Sequence, residues 1–359
     1  MSPPAGAPLR VMLCDDSVTA RGALARVLET DPAIRVVSRV GDGRAALDAL
    51  DAAAPADRAE VVLLDLEMPG MDGMTALPLL LRREPKPIVI VASALTQRGA
   101  SATMAALRAG AADYVPKPSA AGGGLADPSF RAELLAKVKG WARLRERPAT
   151  PAARKPAVAT APRAGLRPPR AFCIGSSTGG PQALAALLRR LPRGLAVPGV
   201  IVQHMPAGFT AMLAQHLDGL GGPRVAEAKD GEVLVPGRLL LAPGDRHLLV
   251  QADGERLVAR LSDAPPENFC RPAVDPTLRS LTAACGGRVQ AVILTGMGHD
   301  GLAGCRALAA AGGAVWAQDE ASSVVWGMPG AVAKAGLASE QGPPEALGEA
   351  LARLLGGGR

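Results

Sequence analysis

Short, strongly apolar runs separated by helical patterns recur along this chain, five of them before residue 150 and five more after residue 170. In the first half the runs are 10–14, 34–40, 61–64, 88–92 and 113–115, with helical periodicity near 18–29, 44–52, 73–83, 99–109 and 129–146. A strand that is apolar on both faces must be covered on both, and a helix between successive strands returns the chain in the same direction. The pattern therefore predicts a parallel sheet between helical layers. In the second half the runs are 171–174, 199–203, 239–242, 290–294 and 314–317, with helices expected near 181–190, 208–218, 275–284, 302–311 and 344–355. Residues 223–263 break the alternation and read as short strands and turns, expected to form an antiparallel insertion at one edge. Both halves are thus α/β: a (βα)5 domain, then a doubly wound, mostly parallel sheet.

Residues 148–169, between the halves, are rich in Pro and Ala and carry no apolar periodicity, the composition of an extended linker. A chain of 359 residues is long enough for two domains with separate cores. Aromatic residues are only 2% of it, so those cores must be built from Ala, Val and Leu. The formal net charge of +7 is local: between Arg143 and Arg170 eight Arg or Lys stand against the single acid Glu146, which accounts for all of it. A basic linker is a solvated tether rather than a folded face for nucleic acid, and a DNA-binding output would need a small helical module that the second half lacks. No apolar run reaches the roughly 18 residues of a membrane span, and residues 1–10 hold no signal-like segment. The five cysteines form no Cys-x-x-Cys pair. They read as small core hydrophobes of a cytoplasmic protein.

In a parallel sheet the side chains at the carboxyl ends of the strands converge on one rim, where ligands bind. In the first half those ends carry Asp15 and Asp16, then Asp65, Ser93 and Lys117. Three carboxylates at one rim are hard oxygen ligands suited to Mg²⁺, and a metal with a lysine relieves their mutual repulsion. The set suits phosphoryl transfer onto Asp65, with Lys117 neutralising phosphoryl oxygens and Ser93 donating a hydrogen bond. Singly each acid has a plainer reading: Asp16-Ser17 as a helix cap, Asp65 as the cap of a turn before Met68-Pro69-Gly70. Five such residues at successive strand ends outweigh it. Cys14–Ser17, Leu63–Gly73, Ser93-Ala94 and Tyr114–Pro118 resemble the receiver domain of bacterial response regulators, over about residues 8–125. The resemblance implies a histidine kinase as phosphodonor to Asp65, a Mg²⁺ held by Asp15, Asp16, Asp65 and the backbone carbonyl of Glu67, and switch positions at Ser93 and Tyr114.

The second half opens with Gly175-Ser-Ser-Thr-Gly179, directly after an apolar run and before a helix. Such a turn cradles a phosphate or presents a serine, here Ser177. The chain lacks the Gly-Lys-Ser/Thr ending of a phosphate loop and has no Gly-x-Gly-x-x-Gly, which weakens the nucleotide reading. A serine nucleophile needs a base, and the chain has four histidines. His204 ends the run 199–203 beside the serine turn. His299 follows another strand within Gly296–Gly301 and is a rival. His216 lies within a helix and His247 among short strands, both expected to be structural. Asp300 could orient a base, giving Ser177, His204 and Asp300 at strand ends of one sheet, with helix N-termini behind the turns as amide donors to an oxyanion.

Ile174–Pro181, Gln203–Pro206 with Gly208-Phe209, Ala242–Asp245, Arg271–Asp275, Leu294–Gly301 and Gly327–Pro329 resemble the catalytic domain of chemotaxis protein-glutamate methylesterases, over roughly 170–355. The resemblance implies a triad at Ser177, His204 and Asp300, an oxyanion donor at the Met297 N–H with Thr178 adjoining the nucleophile, and no role for His299. It further implies hydrolysis of glutamate γ-methyl esters on methyl-accepting chemoreceptors, deamidation of receptor glutamines, and release of activity by phosphorylation at Asp65. No cofactor is expected in the esterase site, and neither nucleic acid nor membrane insertion is expected. The domains anticipated are 8–125 (receiver), 126–169 (helix end and linker) and 170–356 (catalytic).

Overall fold

The five apolar runs of the first half form β1 (Leu9–Cys14), β2 (Ile34–Val40), β3 (Val61–Asp65), β4 (Ile88–Ser93) and β5 (Asp113–Pro116). They pair in the order β2-β1-β3-β4-β5, each pairing parallel. Residues 7–117, 127–146 and 168–356 are described in the computed structural model, which divides into two compact units, 1–147 and 148–359. The linker expected over 148–169 thus lies, apart from residues 168 and 169, outside the described residues.

The helices of the first unit are α1 (Val18–Leu28), α2 (Gly43–Ala52), α3 (Gly73–Leu80), α4 (Gln97–Ala109) and α5 (Pro128–Glu146). Ser17, Asp42, Asp72 and Thr96 cap the first four, each accepting a backbone amide from its helix's first turn. Because these four do the capping, Asp15 and Asp16 are left free of that task. α5 closes the core, with Phe130, Leu134 and Val138 packed among Val11, Leu13, Ile90 and Val115.

The second unit contains β6 (Ala171–Ser176), β7 (Gly199–Gln203), β8 (Arg224–Glu227), β9 (Arg238–Leu241), β10 (His247–Asp253), β11 (Arg256–Ser262), β12 (Val289–Ile293), β13 (Ala314–Gln318) and β14 (Glu340–Gly342). Its helices are α6 (Gly180–Leu188), α7 (Phe209–Asp218), α8 (Val274–Cys285), α9 (Leu302–Ala310), α10 (Met328–Lys334) and α11 (Pro344–Leu355). Seven strands form one sheet in the order β14-β13-β12-β6-β7-β9-β8, and all six pairings are parallel. The antiparallel insertion expected within 223–263 is the β10–β11 hairpin, to which Val233 adds an antiparallel bridge at Val258; β8 and β9, from the same stretch, instead extend the main sheet in parallel. Leu239, Leu240 and Leu241 are all buried, and a strand apolar on both faces is stabilised inside a parallel sheet rather than in a half-exposed hairpin. The hairpin packs on α8, where Thr277 Oγ1 donates to Leu248 O at 2.7 Å and Val250 N–H to Ser280 Oγ at 3.0 Å.

The chain enters this sheet in the middle, at β6, and builds outward to β7 on one side and β12 on the other. The order of connection reverses between β6 and β12, which opens a crevice at their carboxyl ends. In the first unit the same reversal falls between β1 and β3. Ser177 and Asp300 follow β6 and β12, and Asp15 and Asp65 end at β1 and β3. Topology alone therefore puts both candidate sites at switch points.

Candidate functional site

In the first unit Asp15 and Asp65 are buried, 2% and 3% exposed, while Asp16 is exposed. Ligand atoms of the three lie within 4.8 Å of one another. Lys117 Nζ sits 2.5 Å from Asp65 Oδ2 and 3.0 Å from Asp15 Oδ2. Burial, foremost, raises the Asp65 pKa above the ordinary carboxylate value, against the opposing pull of Lys117 and of the Glu67 amide. Asp65 accepts from that amide at 3.2 Å, so it does serve the turn that follows it, with Oδ2 left to face Lys117. Asp16, Asp65, Glu67, Ser93 and Lys117 all line one cavity of about 110 Å³. Ser93 Oγ does not face Asp65 in a hydrogen bond; it donates to Gly99 O at 2.9 Å, at the start of α4. The Tyr114 ring is buried, under the Lys137 ammonium at 4.6 Å from its centroid.

In the second unit the turn after β6 places Ser177 at partial exposure between buried Ser176 and Thr178. The left-handed backbone of this turn falls on Gly179, whose φ is +73°. A left-handed residue there costs a glycine little, so the serine keeps an ordinary backbone. Ser177 N–H donates to Thr295 O at 3.0 Å. A Cβ added to Gly296 would stand 2.8 Å from Ser177 Cβ, so only glycine lets the loop after β12 approach the serine this closely. On the other side His204 N–H donates to Ser176 O at 3.1 Å. Gln203 Nε2 donates to both Ser177 O and His204 O, at 2.9 and 3.1 Å. One buried amide thus ties the serine turn to the histidine turn.

His204 Nε2 lies 2.7 Å from Asp300 Oδ2. That carboxylate also accepts the N–H groups of Val274, Asp275 and Gly301 at 2.6, 3.1 and 2.9 Å, and Asn268 Nδ2 at 2.9 Å. Burial would raise the Asp300 pKa, but His204 and these amides outweigh it and hold the carboxyl below its usual range. Burial likewise would lower His204, yet the hydrogen bonds to Asp300 and Cys270 push it up to about 10. An ionised carboxylate only accepts, so Nε2 carries the proton and Nδ1 becomes the basic nitrogen of the neutral ring. Among the described residues no hydrogen bond joins Ser177 Oγ to His204. Neither the Thr178 nor the Met297 N–H has an acceptor among them; Thr178 follows Ser177 directly, and Met297 follows Gly296, whose backbone approaches the serine.

His299 is exposed, turned outward beside the inward Asp300. His247 is structural: it is buried, with Nε2 3.1 Å from Pro265 O and Nδ1 accepting from Ala273 N–H at 3.2 Å. Two residues near His204 and Asp300 were not singled out from the sequence. Asn268 bridges Asp300 and Asp275, donating to each at 2.9 Å. Cys270 Sγ lies 3.3 Å from His204 Nδ1. The reading of all five cysteines as core hydrophobes is corrected here: Cys14, Cys173, Cys285 and Cys305 are buried, whereas Cys270 is half-exposed.

Residues 11–124 match the family model of the response regulator receiver domain, and residues 172–351 that of the CheB methylesterase. The protein-glutamate methylesterase/protein-glutamine glutaminase of Azospirillum brasilense is 50% identical, over 96% of this chain and 92% of its own. Protein-glutamate methylesterase/protein-glutamine glutaminase 1 of Paramagnetospirillum magneticum is 47% identical, over 94% and 93%. The crystal structure of the Thermotoga maritima CheB methylesterase catalytic domain, 41% identical, aligns with a TM-score of 0.51 over 52% of this chain and 98% of that one. The chain therefore belongs to the protein-glutamate methylesterase/protein-glutamine glutaminase family, with a receiver domain ahead of a methylesterase domain.

Proposed function

We propose that this protein is a phosphorylation-gated serine hydrolase that removes methyl groups from glutamate γ-esters of chemoreceptors and deamidates receptor glutamines. The observation that carries the reading is the 2.7 Å His204–Asp300 pair on the strand ends flanking Ser177. Ser177 Oγ attacks the ester carbonyl while His204 Nδ1 takes its proton. Asp300 keeps the proton on Nε2, so that Nδ1 is the base, and stabilises the imidazolium that forms. The free N–H groups of Thr178 and Met297 suit the developing oxyanion. Methanol leaves with the proton from His204, and water attacks the acyl-serine by the same base to restore the carboxylate. An amide in place of the ester releases ammonia by the same route.

In the receiver domain, Asp65 takes a phosphoryl group from a histidine kinase. The buried Asp15 Oδ2 has no hydrogen-bond donor aligned on it, and with Asp16, Asp65 and the Glu67 carbonyl it fits a hard cation. Mg²⁺ there would neutralise the oxygens of the arriving phosphoryl group. Lys117, within 3.0 Å of both Asp15 and Asp65, adds a second positive charge beside them. We assign the protein to the cytoplasm, where its five free thiols persist. Among the described residues no helix is long and apolar enough to cross a membrane.

Methanol release from methylated receptor, with and without a small phosphodonor, tests both halves. Release should rise with the phosphodonor and vanish in Ser177→Ala; an undiminished rate in that variant ends the esterase reading. Stimulation that persists in Asp65→Ala ends the gating.

A further inference from the structure

The proposed hydrolysis leaves one partner of the His204 ring unused. The group hydrogen-bonded to Nδ1, the nitrogen that must receive the serine proton, is Cys270 Sγ at 3.3 Å. The approach is built by the segment before α8. Asn268 and Phe269 both take left-handed backbone, φ 54° and 63°, a conformation costly for side-chain-bearing residues. Glu267 and Cys270 close the turn with reciprocal backbone hydrogen bonds of 3.1 and 2.9 Å, and Asn268 anchors it to Asp300. Thiol, imidazole and carboxylate are therefore held in one relay, Cys270–His204–Asp300. Cys270 is half-exposed beside Phe269, which is wholly exposed. The other four thiols are buried, which pushes Cys14 up to about 12, Cys285 up to about 11, and Cys173 and Cys305 upward as well. Thiols held protonated are inert, and a thiol that can pass its proton to a neighbouring imidazole is reactive.

We propose that Cys270 is a modification site, a thiol activated by His204 whose reaction with a peroxide or a soft electrophile switches the esterase off. The inference rests on His204 being the base for Ser177. With hydrogen peroxide as oxidant, Nδ1 takes the thiol proton and the sulfur attacks one peroxide oxygen. The S–O bond forms as the O–O bond breaks. Sulfur loses two electrons to become a sulfenic acid, and the departing hydroxide takes the proton from His204 and leaves as water. The added oxygen stands at the nitrogen that Ser177 needs. A small thiol reverses the block: it displaces water to give a mixed disulfide, which a second thiol reduces.

Full-length protein is exposed to hydrogen peroxide, and separately to iodoacetamide. Modification of each cysteine is followed by peptide mass spectrometry alongside methanol release. Cys270 should react at least about tenfold faster than the four buried thiols, and activity should fall in proportion to its modified fraction. Dithiothreitol should restore the peroxide-treated sample, and Cys270→Ser should keep its own untreated rate under peroxide. In His204→Gln the alkylation of Cys270 at neutral pH should slow about tenfold, a change that exposure alone would not produce. An unchanged alkylation rate in His204→Gln overturns the proposal, as does full modification of Cys270 with methanol release intact. If Cys270→Ser does not fold, proportionality in the wild-type protein decides. If untreated protein releases no methanol, the esterase reading fails and with it the switch, while the alkylation rates still decide whether His204 activates the thiol.

Discussion

Asp300 is the residue on which the proposed chemistry turns, because five donors converge on one buried carboxylate. An amide at that position can present its N–H to Nε2 and force the proton to Nδ1, which is the wrong tautomer for a base. Asp300→Asn should keep the fold and lower kcat about 10⁴-fold with little change in KM; a loss under tenfold would show that the ring needs no orienting acid. The protonation of His204 sets a second expectation. Only the neutral ring accepts the serine proton, and its pKa is raised, to about 10. The rate should therefore climb with pH through neutrality and level off only on the alkaline side. Cys270 is one cause of that rise, so Cys270→Ala should move the acid limb of kcat/KM to lower pH; no movement, or the opposite shift, contradicts the coupling. That Ser177, His204 and Asp300 stand at neighbouring strand ends was legible in the sequence, although strand-end position alone left His299 as a rival base and the family resemblance chose His204. Cys270 and Asn268 were not legible there. Cys270 reaches the ring and Asn268 reaches Asp300 by way of a turn in which Asn268 and Phe269 are left-handed, and nothing in Glu267–Arg271 announces that backbone.

At the level of elements, α5 is fastened to β5 by a buried charge. Lys137 is 2% exposed and its Nζ donates to Tyr114 O at 2.5 Å. It also pairs with Glu133 at 2.6 Å and with the buried Asp113 at 3.7 Å, while Trp141 Nε1 donates to Asp113 at 3.1 Å. Removing one partner of a buried pair leaves the other charge uncompensated, at a cost of about 3 kcal/mol. Lys137→Met should lower the melting temperature of the first unit accordingly. Burial opposes the charge on Lys137, but Asp113 and Glu133 outweigh it and its pKa is raised. A raised lysine stabilises fully below its unfolded value of about 10.4 and loses that contribution as pH rises through the folded value. The gap between wild type and variant should hold at neutral pH and close above about pH 10.4; a gap constant to high alkalinity would assign it to packing. The element pattern itself was legible wherever a strand is long and apolar. It marked β9 as the run 239–242 but did not show that β8 and β9 join the parallel sheet, because short strands resemble hairpin arms and only the partner strand decides direction. It missed α10 and β14, seven and three residues long, too short for periodicity to register.

On the scale of the whole molecule, the two proposed chemistries share one chain without sharing a residue. Among the described residues, the acid cluster with metal-ligand spacing is Asp15, Asp16 and Asp65, all in the first unit. The proposed acyl transfer in the second unit moves protons through Ser177, His204 and Asp300 and assigns no step to a metal. Two units in one chain are at high effective concentration for each other, so under the proposed gating a phosphoryl group on one biases the other with no common atom. The two dependences should therefore separate. Removing divalent cations with a chelator should abolish the gain in methanol release that a phosphodonor produces, because Asp65 could no longer be phosphorylated efficiently between unshielded carboxylates. It should leave the basal rate unchanged, and adding Mg²⁺ back should restore the gain alone. The Asp65→Ala variant gives the reference, since its rate should match that of chelated wild type and ignore both phosphodonor and metal. A basal rate that falls with the metal would place a cation in the ester chemistry, and a phosphodonor response that survives chelation would remove the cation from Asp65.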